Sequence, residues 1–79
     1  MSSRTLYDLP RGASAVVVRI DGSGPLKQRL MEMGFVRGAT VRAEQTAPMG
    51  DPRAYAVGDY RLSLRNQEAR AVYVEDIDG

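Results

Sequence analysis

Glycine and proline divide the middle of this chain so finely that nothing long can form there. Eight glycines and four prolines fall among 79 residues, and between Leu26 and Ala69 they recur at intervals that admit one short helix and several short strands. Three punctuated blocks stand out: LKQRLMEMGFVRGATV from Leu26, APMGDP from Ala47, and YRLSLRNQEA from Tyr60. A domain of this size buries only about 60% of the surface its unfolded chain exposes. Its core must therefore be thin, and few residues are left over for an elaborate active site.

Taken in order, Ala15 to Ile20 alternates as a half-buried strand does, with Val16, Val18 and Ile20 on one face and Val17 and Arg19 on the other. Gly24 then suits a helix cap, and Pro25 suits the first helical position, where its missing N–H costs nothing. Leu26, Leu30 and Met33 share one side at four- and three-residue spacing, so the helix runs to about Met33. Gly34 fits the left-handed position just past a helix end, and Phe35 is placed to fold back onto Leu30. Lys27 near the start and Glu32 near the end both oppose the helix dipole, and a helix this short needs tertiary packing to persist.

Thr40 to Thr46 reads as a second strand, with Val41 and Ala43 alternating against Arg42 and Glu44. In the APMGDP loop two prolines fix φ and delete two donors, so the loop is semi-rigid. Arg53 to Val57 and Tyr60 to Leu64 make a hairpin turned at Gly58 and Asp59, with Tyr60, Leu62 and Leu64 directed inward. Arg65 to Glu68 lacks alternation and reads as one helical turn, in which Arg65 and Glu68 cap and pair and Ser63 or Asn66 accepts backbone donors. Val72 and Val74 mark a last strand within Arg70 to Glu75. Five short strands and a helix between the first two predict a mainly β fold, a small closed or nearly closed barrel. It is read as a single domain over 1–79 with its core at about 6–75.

Composition removes several functions. There is no cysteine and no histidine, which excludes disulfides, thiolate ligands, and the usual acid or base near neutral pH. Ser3, Ser14, Ser23 and Ser63 have no histidine to activate them, and no glycine run matches a phosphate cradle. An enzyme and a cofactor site are both disfavoured. Eleven basic against ten acidic residues is too even for a chain held to nucleic acid by phosphate contacts. No apolar run approaches the roughly 20 residues of a membrane span, and MSSRTLYDLP lacks a signal-peptide core. A cytoplasmic chain is expected, with no direct membrane insertion.

The blocks resemble the ferrous iron transport protein A (FeoA) family. The resemblance rests on Arg29, Leu30, Glu32, Met33, Gly34 and Gly38, on Ala47, Pro48, Gly50, Asp51 and Pro52, and on Tyr60, Leu62, Leu64, Arg65, Glu68 and Ala69. One departure is that Asp59 precedes Tyr60, with the turn glycine at Gly58. The family implies an SH3-like barrel with an inserted helix and a non-enzymatic role. Its implied partner is the cytosolic GTP-binding part of a membrane ferrous iron transporter. The same pattern also resembles the SH3-like C-terminal domain of iron-dependent transcriptional repressors, a regulatory module. A generic small-barrel binder would need exposed aromatics on one face, and Tyr60 and Phe35 are assigned to the core instead.

Candidate contact residues are Leu26, Lys27, Arg29 and Glu32 on the helix edge, and Pro48, Met49 and Asp51 in the loop. Each has a plainer structural reading. Arg29 and Glu32 can pair across the helix surface. Met49 can fill a gap over the barrel mouth or serve as an interaction tip; as a lone thioether it makes no ferrous site. Asp51 can bond nearby backbone N–H groups in its own turn. Asp76 to Gly79 lacks the closing glutamate of a calcium loop and reads as a solvated tail.

Overall fold

The computed structural model describes residues 4–22, 24–46, 48 and 50–77. After a 3-10 turn at Leu6–Asp8 come β1 (Ser14–Ile20), α1 (Pro25–Glu32), β2 (Thr40–Thr46), β3 (Arg53–Val57), β4 (Tyr60–Leu64), α2 (Asn66–Ala69) and β5 (Val72–Asp76). The strands form one sheet in the order β4-β3-β2-β1-β5, with every neighbouring pair antiparallel. Helix α1 therefore stands between the first two strands of the chain, and the hairpin from Arg53 to Leu64 lies where its residues predicted.

The inward face of β1 differs from simple alternation. Ala15, Val17 and Ile20 are buried, whereas Val16 and Val18 are half-buried. The β1–β5 register shifts between Val17 and Arg19, so Val18 is the extra residue of a bulge and the strand changes phase across it. Val17 also exchanges two backbone bonds with the following turn. Its N–H donates to the Ala39 carbonyl at 2.9 Å, and its carbonyl accepts from Gly38 N–H at 2.8 Å. The turn after α1 is thereby fastened to the bulge.

Helix α1 begins at Gly24, with Pro25 in its first turn, and ends in a Schellman motif. Phe35 N–H donates to the Leu30 carbonyl at 3.0 Å and Gly34 N–H to the Met31 carbonyl at 3.1 Å. Gly34 sits at φ 108°, and both Leu30 and Phe35 are fully buried. The paired bonds close the helix while the apolar contact seats it on the sheet.

Tyr60 corrects one expectation, since it is 64% exposed although Leu64 on the same face is buried. Burial grades along this edge strand from Leu64 through half-buried Leu62 to Tyr60. The turn end of the hairpin, where Tyr60 pairs with Val57, projects past the layer that covers the rest.

The Leu6–Asp8 turn, which the sequence reading missed, closes the other end of the core. Leu6 is fully buried, its carbonyl accepts the Tyr55 hydroxyl at 3.2 Å, and the Arg53 Nη1 donates to the Tyr7 carbonyl at 2.7 Å. The guanidinium groups of Arg53 and Arg70 lie 4.7 and 4.2 Å from the centre of the Tyr7 ring, within cation–π range.

Two outcomes follow from these contacts. Gly34→Ala places a Cβ at positive φ, which carries a penalty of roughly 1 to 2 kcal/mol; an unchanged melting temperature would count against the cap. Burial pushes the Tyr55 hydroxyl above its ordinary 10.0, with the Arg53 charge opposing in part. The unfolded chain therefore loses this proton first, and the stabilising contribution, complete below pH 10.0, is lost as pH climbs toward the folded-state value. Tyr55→Phe should cost about 1 kcal/mol at neutral pH, and that deficit should shrink above pH 10.0 in denaturant titrations. A constant gap would contradict this.

Candidate docking surface

An eight-residue helix has three sides to dispose of. Leu30 points into the core, with Leu26 and Met33 packed at its margin. Lys27 and Met31, and Gln28 and Glu32, are i,i+4 pairs on the outward side. Together with Gly24 and Val36 these four line an open depression of about 560 Å³. Met31 is 46% and Val36 44% exposed, so apolar surface lies uncovered on both sides of the helix terminus.

A second depression of about 180 Å³ adjoins it, lined on its apolar side by the buried Val17, Ile20 and Phe35. Lys27, Met31 and Val36 border both. The rim of the smaller one carries Arg19, Lys27 and Arg37 and no carboxylate. Arg19 is engaged already, donating to Asp21 at 2.7 Å and lying 4.0 Å from the Tyr73 ring centre. Apolar residues bordered by charge match the anatomy of an interface core and rim.

The third side of α1 faces α2. Leu26 and Arg29 meet Gln67 and Glu68 around an opening of about 340 Å³, and Arg29 Nη2 donates to Glu68 Oε2 at 2.6 Å. Arg29 therefore pairs with Glu68 and not with Glu32. The reason is geometric, since α2 brings a half-buried carboxylate over Arg29, and Glu32 lies on the outward side. The other Glu68 oxygen accepts the Arg65 N–H at 2.9 Å, closing the start of α2.

Asp51 also acts at a distance. Its Oδ1 accepts the Asn66 N–H at 3.0 Å, and the Gly50 carbonyl accepts from Asn66 Nδ2 at 3.0 Å. The carboxylate thus satisfies an orphan donor at the N-terminus of α2, a cap supplied in trans. Glu68 caps the turn as expected, while the caps expected from Ser63 or Asn66 are replaced by Asp51. Pro48 is exposed, whereas Met49 and its proposed contacts lie outside the described residues.

The candidate residues accordingly separate into Lys27 with Glu32 on the outward depression, Leu26 with Arg29 at the α1–α2 junction, and Asp51 under α2. A polar chain links loop to helix: Asp51 to Asn66, then Glu68 to Arg29. Met31 and Val36, the most exposed apolar members of the surface, were not picked out in advance. Met31 is apolar yet out of phase with the Leu26, Leu30 and Met33 stripe, which is the signal that could have found it. Among the described residues no three carboxylate, histidine or cysteine groups converge as metal ligands would.

The family pattern matches residues 4–76 of this chain against the FeoA domain. The chain belongs to the FeoA family. A relative from Porphyromonas gingivalis, the Fe(2+) transport protein A/Fe(2+) transporter FeoB fusion protein, is 44% identical over 70 residues, which is 89% of this chain and 8% of the relative. This chain thus spans under a tenth of that curated relative's length. Iron(II) transport protein A from Clostridium thermocellum superposes with a TM-score of 0.90 at 37% identity, covering 96% of this chain and 47% of that one. FeoA from Stenotrophomonas maltophilia, solved with zinc and described as a procaryotic SH3 domain protein, gives 0.81 at 38% identity, with coverage of 91% and 89%. The mainly β, SH3-like architecture implied by the sequence is therefore that of the family. A manganese-dependent transcriptional repressor shares the fold at a TM-score of 0.82 but 19% identity, covering 94% of this chain and 41% of the repressor. That likeness is one of fold.

The two polar contacts of this FeoA-family chain differ in expected weight. Arg29→Ala breaks a pair whose arginine is 55% exposed and should cost under about 1 kcal/mol. Asp51→Ala leaves a helix donor uncapped and should cost about 1 to 2 kcal/mol. Urea denaturation of both variants measures the order; a larger loss from Arg29→Ala would contradict the assignment.

Proposed function

We propose that this chain is a non-enzymatic, cytoplasmic accessory protein of ferrous iron uptake that binds the cytosolic GTP-binding part of a membrane ferrous iron transporter. The observation that carries this reading is the Porphyromonas gingivalis relative, in which a segment similar to this chain is joined to transporter FeoB in one polypeptide. The described residues support a binding role. They contain no helix long and apolar enough to cross a membrane, and they offer an uncovered apolar surface at Met31 and Val36.

Docking centres on the Lys27, Met31, Glu32 and Val36 depression. Asp51 and the Leu26–Arg29 edge lie on the α2 side, where they hold the helix in place or widen the contact, with Pro48 as a further candidate contact. Such a protein alters transport only through its difference in affinity for two conformations of the GTP-binding part. The repressor likeness stops at the fold and supplies no independent regulatory reading.

Tagged protein should recover the co-resident transporter from membrane extracts, with and without a GTP analogue. Met31→Asp should reduce recovery by roughly tenfold, as loss of a central interface anchor does, without moving the melting temperature. Arg11→Ala, exposed beside Arg42 and Glu44 and outside the residues that line this depression, should leave recovery unchanged. Failure of the wild-type protein to capture the transporter contradicts the reading.

A further inference from the structure

Ile77 is 49% exposed and lies in the sequence Glu75-Asp76-Ile77-Asp78. One aliphatic side chain among carboxylates is the complement of the smaller depression. That site holds about 180 Å³, has an apolar side and has a rim of three cations. A site of this volume has room for a single side chain. We propose that it receives Ile77 of a second copy of this chain, with Glu75 and Asp76 of that copy set against Lys27 and Arg37.

The contact cannot be made within one molecule. Asp76 lies opposite Ala15, and the depression takes Val17, Arg19 and Ile20 further along β1, so Ile77, which is not among its lining residues, lies roughly 10 to 20 Å from it along the strand. Each copy therefore offers one depression and one Ile77 segment, and the contact is head-to-tail. Arg4 pairs with Asp76 and offsets part of the segment's charge. Glu75 has no ion-pair partner among the described residues, nor do Lys27 and Arg37. Their attraction is weakened by salt.

One side chain in one pocket makes a small interface, and such interfaces are weak, with Kd on the order of 0.1 to 1 mM. The contact involves this chain alone, so it stands or falls separately from transporter docking. A copy seated there covers Met31 and Val36, and hence competes with that partner.

Sedimentation velocity across this concentration range tests the contact. The wild-type chain should self-associate, less so at high salt. Met31→Asp and Ile77→Asp should each weaken association at least roughly tenfold while retaining the wild-type circular dichroism melt, since both side chains are exposed. Mixing the two variants restores one intact depression and one intact Ile77, so the mixture should form a heterodimer that neither forms alone. Arg37→Glu should also weaken association, and Glu75→Lys in the partner copy should recover it; this charge swap serves as the test if Met31→Asp disturbs the fold. A wild-type chain that stays monomeric, a mixture that stays monomeric, or association indifferent to these changes overturns the proposal.

Discussion

Burial of Leu30 and Phe35 at the end of α1 is the contact on which the candidate surface depends. A helix of eight residues has no stability of its own in water, and the positions of Lys27 and Glu32 do not help it. It persists because the Schellman turn at Gly34 folds Phe35 back under Leu30, and both side chains lie at zero exposure. With that side fixed inward, helical geometry turns Lys27 and Met31 outward, and the chain leaving the turn brings Val36 alongside. The bulge at Val18 completes the arrangement by holding the Gly38–Ala39 turn against Val17.

Positions whose role is local were legible in the sequence. Gly34 and Phe35 announce a helix stop because positive φ and a following apolar residue are local requirements, and Gly58 with Asp59 announces a hairpin for a similar reason. What escaped depends on residues distant in the chain. The bulge inverts the expected face of β1 because β5, more than fifty residues on, sets the pairing. Tyr60 obeys alternation yet stays exposed, since burial depends on how far the covering layer extends. Arg29 finds Glu68, and Asp51 caps Asn66, through contacts no spacing rule encodes. The Leu6–Asp8 turn escaped as well, because a single 3-10 turn carries no periodicity.

The same division separates architecture from recognition. Most residues that match the FeoA family fill or punctuate the fold: Leu30, Gly34, Leu64, Glu68 and Ala69 are explained by packing and capping. Asp51, first read as a candidate contact, is engaged in holding α2. Exposed apolar surface at Met31 and Val36 has no such explanation, since folding leaves it in water, at a cost the fold does not recover. A thin core makes that exposure more telling, because a small domain has little apolar area to leave uncovered. In the proposed reading recognition is concentrated on one side of one helix, and α2 with its polar links to Arg29 and Asp51 holds that helix in position.

The most direct test is amide chemical-shift mapping of isotopically labelled protein titrated with the proposed partner, the cytosolic GTP-binding part of a ferrous iron transporter. Perturbations should concentrate at residues 24 to 37, strongest at Lys27, Met31 and Val36, and should exceed those along the hairpin of β3 and β4. Shifts concentrated on that hairpin, with the α1 surface unmoved, would contradict the account.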